Sequence, residues 1–320
     1  MMAILERMAR FKVLLPLIGI AIFVYIVSGI GADNIIDALG RINPLILLLS
    51  LSIFIPRITI STYRWKMIAH MQGIDVDLPT LIKLNLIGLF YGTVTPLWLG
   101  DWIRIPYLRE ESNAPFGKCT SNIFIDQIME FSSLFILAIA GSILLFGRFH
   151  SLFFILFSFF AVFVSVAIFL KDKRRGKKLF NVLYKIVVPK KFRPFMEDEL
   201  NVFYDDMPPL KSLFVPLLIG ISAYLLYFTQ IYLIALSFSI DIPFTTFILV
   251  YPVASLIGLI PITISGFGTR EAALIRIFSI YGVPDSITVA ISLSGYIITM
   301  IIPAVIGGIF SIARVRSEKL

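Results

Sequence analysis

Apolar positions along the chain gather into long uninterrupted runs at residues 13–30, 44–60, 123–146, 152–170, 213–238 and 287–310. Each approaches the roughly 20 residues that carry a helix across the hydrocarbon of a bilayer. Two further runs, 81–99 and 244–264, are interrupted. The first opens into PLWLGDWIR (Pro96 to Arg104) and the second into PITISGFGTR (Pro261 to Arg270). Each break sets proline, glycine and a charge where a membrane helix would continue, and each is flanked by long apolar segments. The pattern predicts an all-α, polytopic helical membrane protein with about six full crossings plus two re-entrant broken-helix hairpins in an inverted repeat.

Composition agrees. Hydrophobic residues make up 58% of the chain and charged residues 15%, with 29 Phe, too apolar for one soluble domain. The first run follows Arg7, Arg10 and Lys12. It reads as a retained helix rather than a removed leader, because its apolar part exceeds the usual length and no small-x-small cleavage site follows. With Cys119 alone no intrachain disulfide forms, and His70 and His150 are too few and too far apart for a metal cluster.

Charge then orients the runs. Arg64 and Lys66 follow the run at 44–60, KDKRRGKK (171–178) follows that at 152–170, and Arg314, Arg316 and Lys319 close the chain. The positive-inside rule places all of these in the cytoplasm, together with the N-terminus, only if both interrupted segments enter and leave on their own side. The expected organisation is a single integral membrane domain over 1–320. It holds a first repeat at 42–146 (re-entrant 81–110), a cytoplasmic basic loop at 171–211 and a second repeat at 212–311 (re-entrant 243–283). The stretch 272–281 is half a span long at about 1.5 Å per residue, which suits the returning limb of the second hairpin. The expected location is the cell membrane, with both termini cytoplasmic.

Broken backbone inside a bilayer is tolerated only where protein or water shields its polar groups, so the two breaks must line something. Pro96, Gly100, Pro261, Gly266 and Gly268 supply the turns and close approaches, and inward-pointing helix ends offer a positive dipole to an anion. Asp101 and Arg104 share a helix face, Arg270 and Glu271 follow the second break, and Asp126 and Glu130 stand four apart on an apolar crossing. In the functional reading Arg104 and Arg270 engage phosphate while Asp126 and Glu130 orient them or balance charge. In the plainer one the charges pair internally and hold the bundle. Two readings also stand for Arg57: contact with the cavity, or snorkelling to the interface, the cheaper of the two. Tyr63 and Trp65 read as an interfacial belt. Asn85, Tyr91, Thr93, Thr95, Thr263 and Ser265 read mainly as partners for broken backbone.

Between Lys171 and Arg193 ten basic residues face one acid, and the interleaved apolar stretch 179–188 suits an anionic leaflet. Topology accounts for the net charge of +8 without a nucleic-acid partner. No hydrolase elbow, metalloprotease, Walker or dinucleotide motif occurs, so no cofactor and no catalytic residue is expected.

These residues resemble the flippase-like integral membrane family related to the transmembrane region of lysylphosphatidylglycerol synthases. The resemblance covers nearly the whole chain. It rests on Arg64-Trp65, on Pro96, Gly100, Asp101 and Arg104, on the acids Asp126 and Glu130 in DQIME, and on Gly266, Gly268, Arg270 and Glu271 followed by Gly282 and Val283. Where the family often has Glu-Arg-x-x-Asp, this chain reads Asp126-Gln127-x-x-Glu130 and lacks the arginine. The resemblance implies a lipid transporter that moves a phosphate-bearing lipid, an anionic phospholipid or a polyprenyl-phosphate-linked sugar, between leaflets. The sequence runs out at Leu320, so the lipid-handling half is expected without the aminoacyl-transferase half. The alternative is an intramembrane lipid-modifying transferase or its non-catalytic partner.

Overall fold

The computed structural model describes residues 22–178, 193–259, 266 and 268–317, and every regular element among them is helical. In chain order these are α1 (Ile22–Ile30), α2 (Ala32–Gly40), α3 (Pro44–Ser52), α4 (Phe54–Met71) and α5 (Leu78–Val94). A 3-10 helix (Pro96–Ile103) leads into α6 (Arg104–Ser112), followed by α7 (Phe116–Leu144) and α8 (His150–Lys171). After α9 (Arg193–Asp205) come α10 (Phe214–Leu236), α11 (Phe244–Gly258), α12 (Thr269–Phe278), α13 (Asp285–Tyr296), a π-helical turn (Ile297–Ile301) and α14 (Ile302–Ser317).

Five spans are long and apolar enough to cross a membrane: Pro44–Met71, Phe116–Leu144, Phe146–Lys171, Leu210–Leu236 and Asp285–Arg314. A sixth results if α1 and α2 count as one span. They meet at 77° about Gly31, whose φ of +89° suits a residue without a side chain. The protein is thus an all-α polytopic membrane protein. In the Phe146–Lys171 span only 6% of the apolar window is buried, so α8 leaves Phe154, Phe157 and Phe159 exposed for lipid while Phe160 and Phe163 pack on Phe135, whereas 50% or more is buried in the spans containing α7 and α13–α14.

Local chemistry sets several boundaries. Asn43 caps α3 by accepting from the Leu45 and Ile46 amides, and Asp77 caps α5 through the Thr80 amide. Pro44 and Pro79 sit in the first turns, where their missing N–H costs nothing. The π turn precedes Pro303. An α-helix would pair the Thr299 carbonyl with the amide of residue 303, and proline has none.

In both interrupted segments, residues beyond the break pack against the helix that precedes it. Gly100 lies so close to α5 that a methyl group on it would overlap the Tyr91 carbonyl, and a methyl on Gly88 would overlap Asp101 and Arg104. Thr95 Oγ1 ties the 3-10 helix to the end of α5, donating to the Tyr91 carbonyl at 2.8 Å and accepting from the Gly100 amide at 2.7 Å. In the second segment Gly266 (φ +77°) and Arg270 pack against Gly258, where an added methyl would meet Arg270 Cβ at 3.0 Å. Pro261, Thr263 and Ser265 lie outside the described residues.

The bundle is knitted by glycine contacts between its two ends in sequence. Gly307 of α14 packs onto the backbone of Leu86 in α5, and Gly141 of α7 onto that of Leu249 in α11. Helices α4 and α10 pack against one another, with Gly220 making room for Arg64. The larger core gathers around Phe228, Phe247, Tyr251 and Phe278, and a second forms around Trp65, Leu81, Leu84 and Leu108.

The 171–211 loop carries folded structure on either side of residues 179–192, which lie outside the described set. Helix α9 docks on the start of α7 through Phe203 and Phe124, whose rings are 5.7 Å apart, and through a Lys118–Asp206 ion pair at 3.2 Å. Gly117 donates its amide to Glu199. Acids that follow the basic run therefore pair with bases that precede them.

Candidate functional site

A cavity of about 220 Å³ opens between α4, α5, α7, α10, α11 and α12. Helical periodicity supplies its walls. Arg57, Ser61 and Arg64 recur at i, i+4 and i+7 on α4, Gln127, Glu130, Phe131 and Leu134 do so on α7, and Tyr224 and Tyr227 face in from α10. Asn85 and Leu89 come from α5, Asp101 from the 3-10 helix, Gly258 from α11, Arg270 from the start of α12 and Met300 from the π turn.

Charges at the first break form one network. Arg64 donates from Nε to Asp126 Oδ1 at 3.0 Å and from Nη2 to Glu130 Oε2 at 3.0 Å. Arg104 donates from Nη1 to Asp126 Oδ2 at 3.1 Å and from Nη2 to Asp101 Oδ2 at 2.6 Å. Its guanidinium also lies 4.9 Å over the Trp65 ring. The Asp126 side chain is 1% exposed and shared by two arginines, whereas that of Glu130 is 39% exposed and faces the cavity. Gln127 donates to Asp101, so the amide that replaces the expected arginine holds an acid.

At the second break Arg270 pairs with Glu271 at 2.9 Å and donates from Nε to Ser292 Oγ at 3.1 Å. Glu271 also accepts from the Gly268 amide at 2.6 Å, so the chain's own carboxylate caps the start of α12. Gly268 holds a φ of +85° there.

Arg57 differs from the other three arginines. Its Nη2 donates to the Thr299 carbonyl at 3.2 Å, and its guanidinium lies 5.2 Å over Tyr227 and 5.7 Å over Phe54. No carboxylate among the described residues pairs with it, and its buried Nε has no partner.

Several expectations change. Arg57 lines the cavity instead of snorkelling to an interface. Arg64 and Trp65 do not belong to a link or an aromatic belt. Helix α4 runs on to Met71, Trp65 is fully buried and donates to Asn122 at 2.6 Å, and Arg64 stands at the centre of the network. Asp126 reaches Arg104, but neither Asp126 nor Glu130 reaches Arg270, whose partner is Glu271. Arg104, Asp126 and Glu271 stand behind the wall rather than in it. The clue to Arg64 was available: it lies seven residues, two turns, beyond Arg57. Thr93 and Thr95 serve backbone carbonyls as expected, Tyr91 shares a hydrogen bond with Ser311 and Asn85 donates to Thr62.

Fold and site together define a polytopic helical membrane protein with a charged cavity at two interrupted helices. Residues 12–307 match the family described as the lysylphosphatidylglycerol synthase TM region, and the chain belongs to that family. It is similar to a UPF0104 membrane protein of Methanocaldococcus jannaschii, 26% identical over 312 residues and 92% of each chain. A UPF0104 membrane protein of Methanothermobacter thermautotrophicus is 24% identical over 87% of this chain and 88% of its own. One of Pyrococcus horikoshii is 20% identical over 93% and 96%. Family membership supports a general lipid-handling role within the membrane.

Proposed function

We propose that the protein moves a phosphate-bearing lipid, an anionic phospholipid or a polyprenyl-phosphate-linked sugar, between the leaflets of the cell membrane. The headgroup occupies the cavity while its chains stay in hydrocarbon. The observation that carries this reading is Arg57, a cavity-lining guanidinium with an unpartnered Nε, flanked by Arg64 and Arg270. Guanidinium forks match phosphate oxygens, and a cation left without a carboxylate in such a place favours an anion. Arg104, Asp101, Asp126, Glu130 and Glu271 hold the wall in shape and set its charge.

The transport geometry is two halves related by an inverted repeat, 42–146 and 212–311, each with a re-entrant hairpin, at 81–110 and 243–283. Two likenesses support it. In each hairpin a glycine of the entering limb receives the arginine of the returning limb, Gly88 with Arg104 and Gly258 with Arg270. The hairpins are also exchanged between halves: α5 packs on α14, the last helix of the second half, and α11 packs on α7 of the first. Rocking of the halves about the α4–α10 contact exposes the cavity to each leaflet in turn, with the termini and the 171–211 loop in the cytoplasm.

The test is leaflet-to-leaflet movement of fluorescent phosphatidylglycerol and of a polyprenyl phosphate in liposomes containing the purified chain. Arg57→Ala and Arg270→Ala should each slow movement by about tenfold or more, the loss of one charge-assisted hydrogen bond. Wild-type movement no faster than in protein-free vesicles overturns the proposal. A change in lipid mass on incubation would point instead to a transferase.

A further inference from the structure

The charges around the cavity form a closed set. Among the described residues four guanidiniums, Arg57, Arg64, Arg104 and Arg270, stand in or directly behind its wall. So do four carboxylates: Asp101, Asp126, Glu130 and Glu271. Fully ionised, the set is neutral. An anion entering it adds a net charge to a low-dielectric interior, which opposes it unless a second charge compensates.

Two of the four acids line the cavity, Asp101 and Glu130, and Glu130 is the more loosely held. Asp126 has each oxygen on a different arginine and is 1% exposed. Glu271 is fully buried and serves Gly268, Arg270 and Ser292. Asp101 uses one oxygen, but Arg104 and Gln127 both donate to it and the side chain is 15% exposed. Glu130 accepts one hydrogen bond, from Arg64, and its side chain, 39% exposed, opens into the cavity. The charged and titratable groups around it are Arg57 and Arg64 from α4, Asp101 and Arg104 from the first break and α6, Asp126 from its own helix, and Tyr224 and Tyr227 from α10.

We infer that the protein couples anion movement to a proton, carried on Glu130. A phosphate-type anion drawn by Arg57 takes the place of Glu130 on Arg64, and the released carboxylate takes one proton from the water on that side. The loaded cavity is again neutral. When the anion leaves on the far side, Glu130 gives its proton to the water there and re-forms its ion pair with Arg64. One anion and one proton cross together, and no bond other than O–H forms or breaks. This inference rests on the anion-moving reading above.

The experiment uses the full chain in liposomes with a pH-sensitive dye inside and a pH difference of one unit across the membrane. One arm carries trace fluorescent phosphatidylglycerol, and a second carries radiolabelled inorganic phosphate in bulk solution. Coupling of one proton to one anion drives label towards the alkaline side to a ratio of about tenfold, beyond that in protein-free vesicles, with matching acidification of that side. In Glu130→Gln the ratio should fall to about one, and Glu130→Asp should restore dependence on the gradient, which separates a proton site from a packing residue. Wild-type label movement indifferent to the gradient, without acidification, overturns the coupling and leaves lipid movement standing. Gradient-driven phosphate with static lipid keeps the coupling and overturns the lipid cargo. Absence of movement in both arms, with folded protein, overturns both.

Discussion

Replacing Asp126 by Asn would test whether the network at the first break is the frame of the bundle. The two side chains have the same shape, but each Asp126 oxygen accepts from a different guanidinium, Arg64 at 3.0 Å and Arg104 at 3.1 Å. Asparagine keeps one acceptor and turns an NH2 donor towards the other arginine. One charge-assisted hydrogen bond is lost, about 1.5–3 kcal/mol, and two buried donors are left facing each other, about 1–3 kcal/mol more. The sum, roughly 2.5–6 kcal/mol, brackets the usual cost of breaking a buried ion pair, about 3–5 kcal/mol. The assay is reversible unfolding in mixed micelles followed by tryptophan fluorescence, with the cycle Arg64→Met, Asp126→Leu and the double variant. The double variant should lose less than the sum of the singles by about 1 kcal/mol or more, since removing both partners leaves neither unpaired. A loss below about 1 kcal/mol for Asp126→Asn, or additive singles, would refute the reasoning.

Close packing at the hairpins predicts that Gly100→Ala and Gly88→Ala each cost about 1–3 kcal/mol in the same assay, while Gly40→Ala, with open space around it, changes little. Gly266→Ala should also destabilise, by about 1–2 kcal/mol, because its φ of +77° is strained for any residue with a side chain. Arg57→Ala should cost less stability than Asp126→Asn, since its guanidinium has one hydrogen bond and, among the described residues, no carboxylate partner, while slowing lipid movement more. The Thr80 hydroxyl and amide hold the Asp77 carboxyl below its usual 3.8. Its capping contribution is therefore present above about pH 4 and is lost as pH falls through the lower folded value, so Asp77→Asn should flatten acid unfolding in that window.

Much of the architecture was legible because it depends on composition and length. Spans near 20 residues, two interruptions with proline and glycine, and a ten-residue apolar stretch after the second (272–281) are properties of the chain itself, and α12 (Thr269–Phe278) with the 3-10 turn Ser279–Tyr281 covers that stretch. The pairing of charges was not legible, since ion pairs join residues far apart in sequence. Arg64 and Asp126 are 62 positions apart, and Arg57 meets Thr299 across 242. Charge position misled for Arg64: a basic residue after an apolar run ordinarily marks the membrane surface, but here the helix continues and buries it against two carboxylates.

The sequence alone therefore determined that the chain belongs in a bilayer, roughly how often it crosses and two of the places where its apolar runs are interrupted, because hydrocarbon imposes those demands locally, residue by residue; the 77° bend at Gly31 came only from the structure. Tertiary structure alone decided which arginine lacks a carboxylate. Four arginines and four acids can be matched in many ways, and only the packing of α4 against α7, of the first break against α5 and of Arg270 beside its own Glu271 leaves Arg57 with a carbonyl and two aromatic faces.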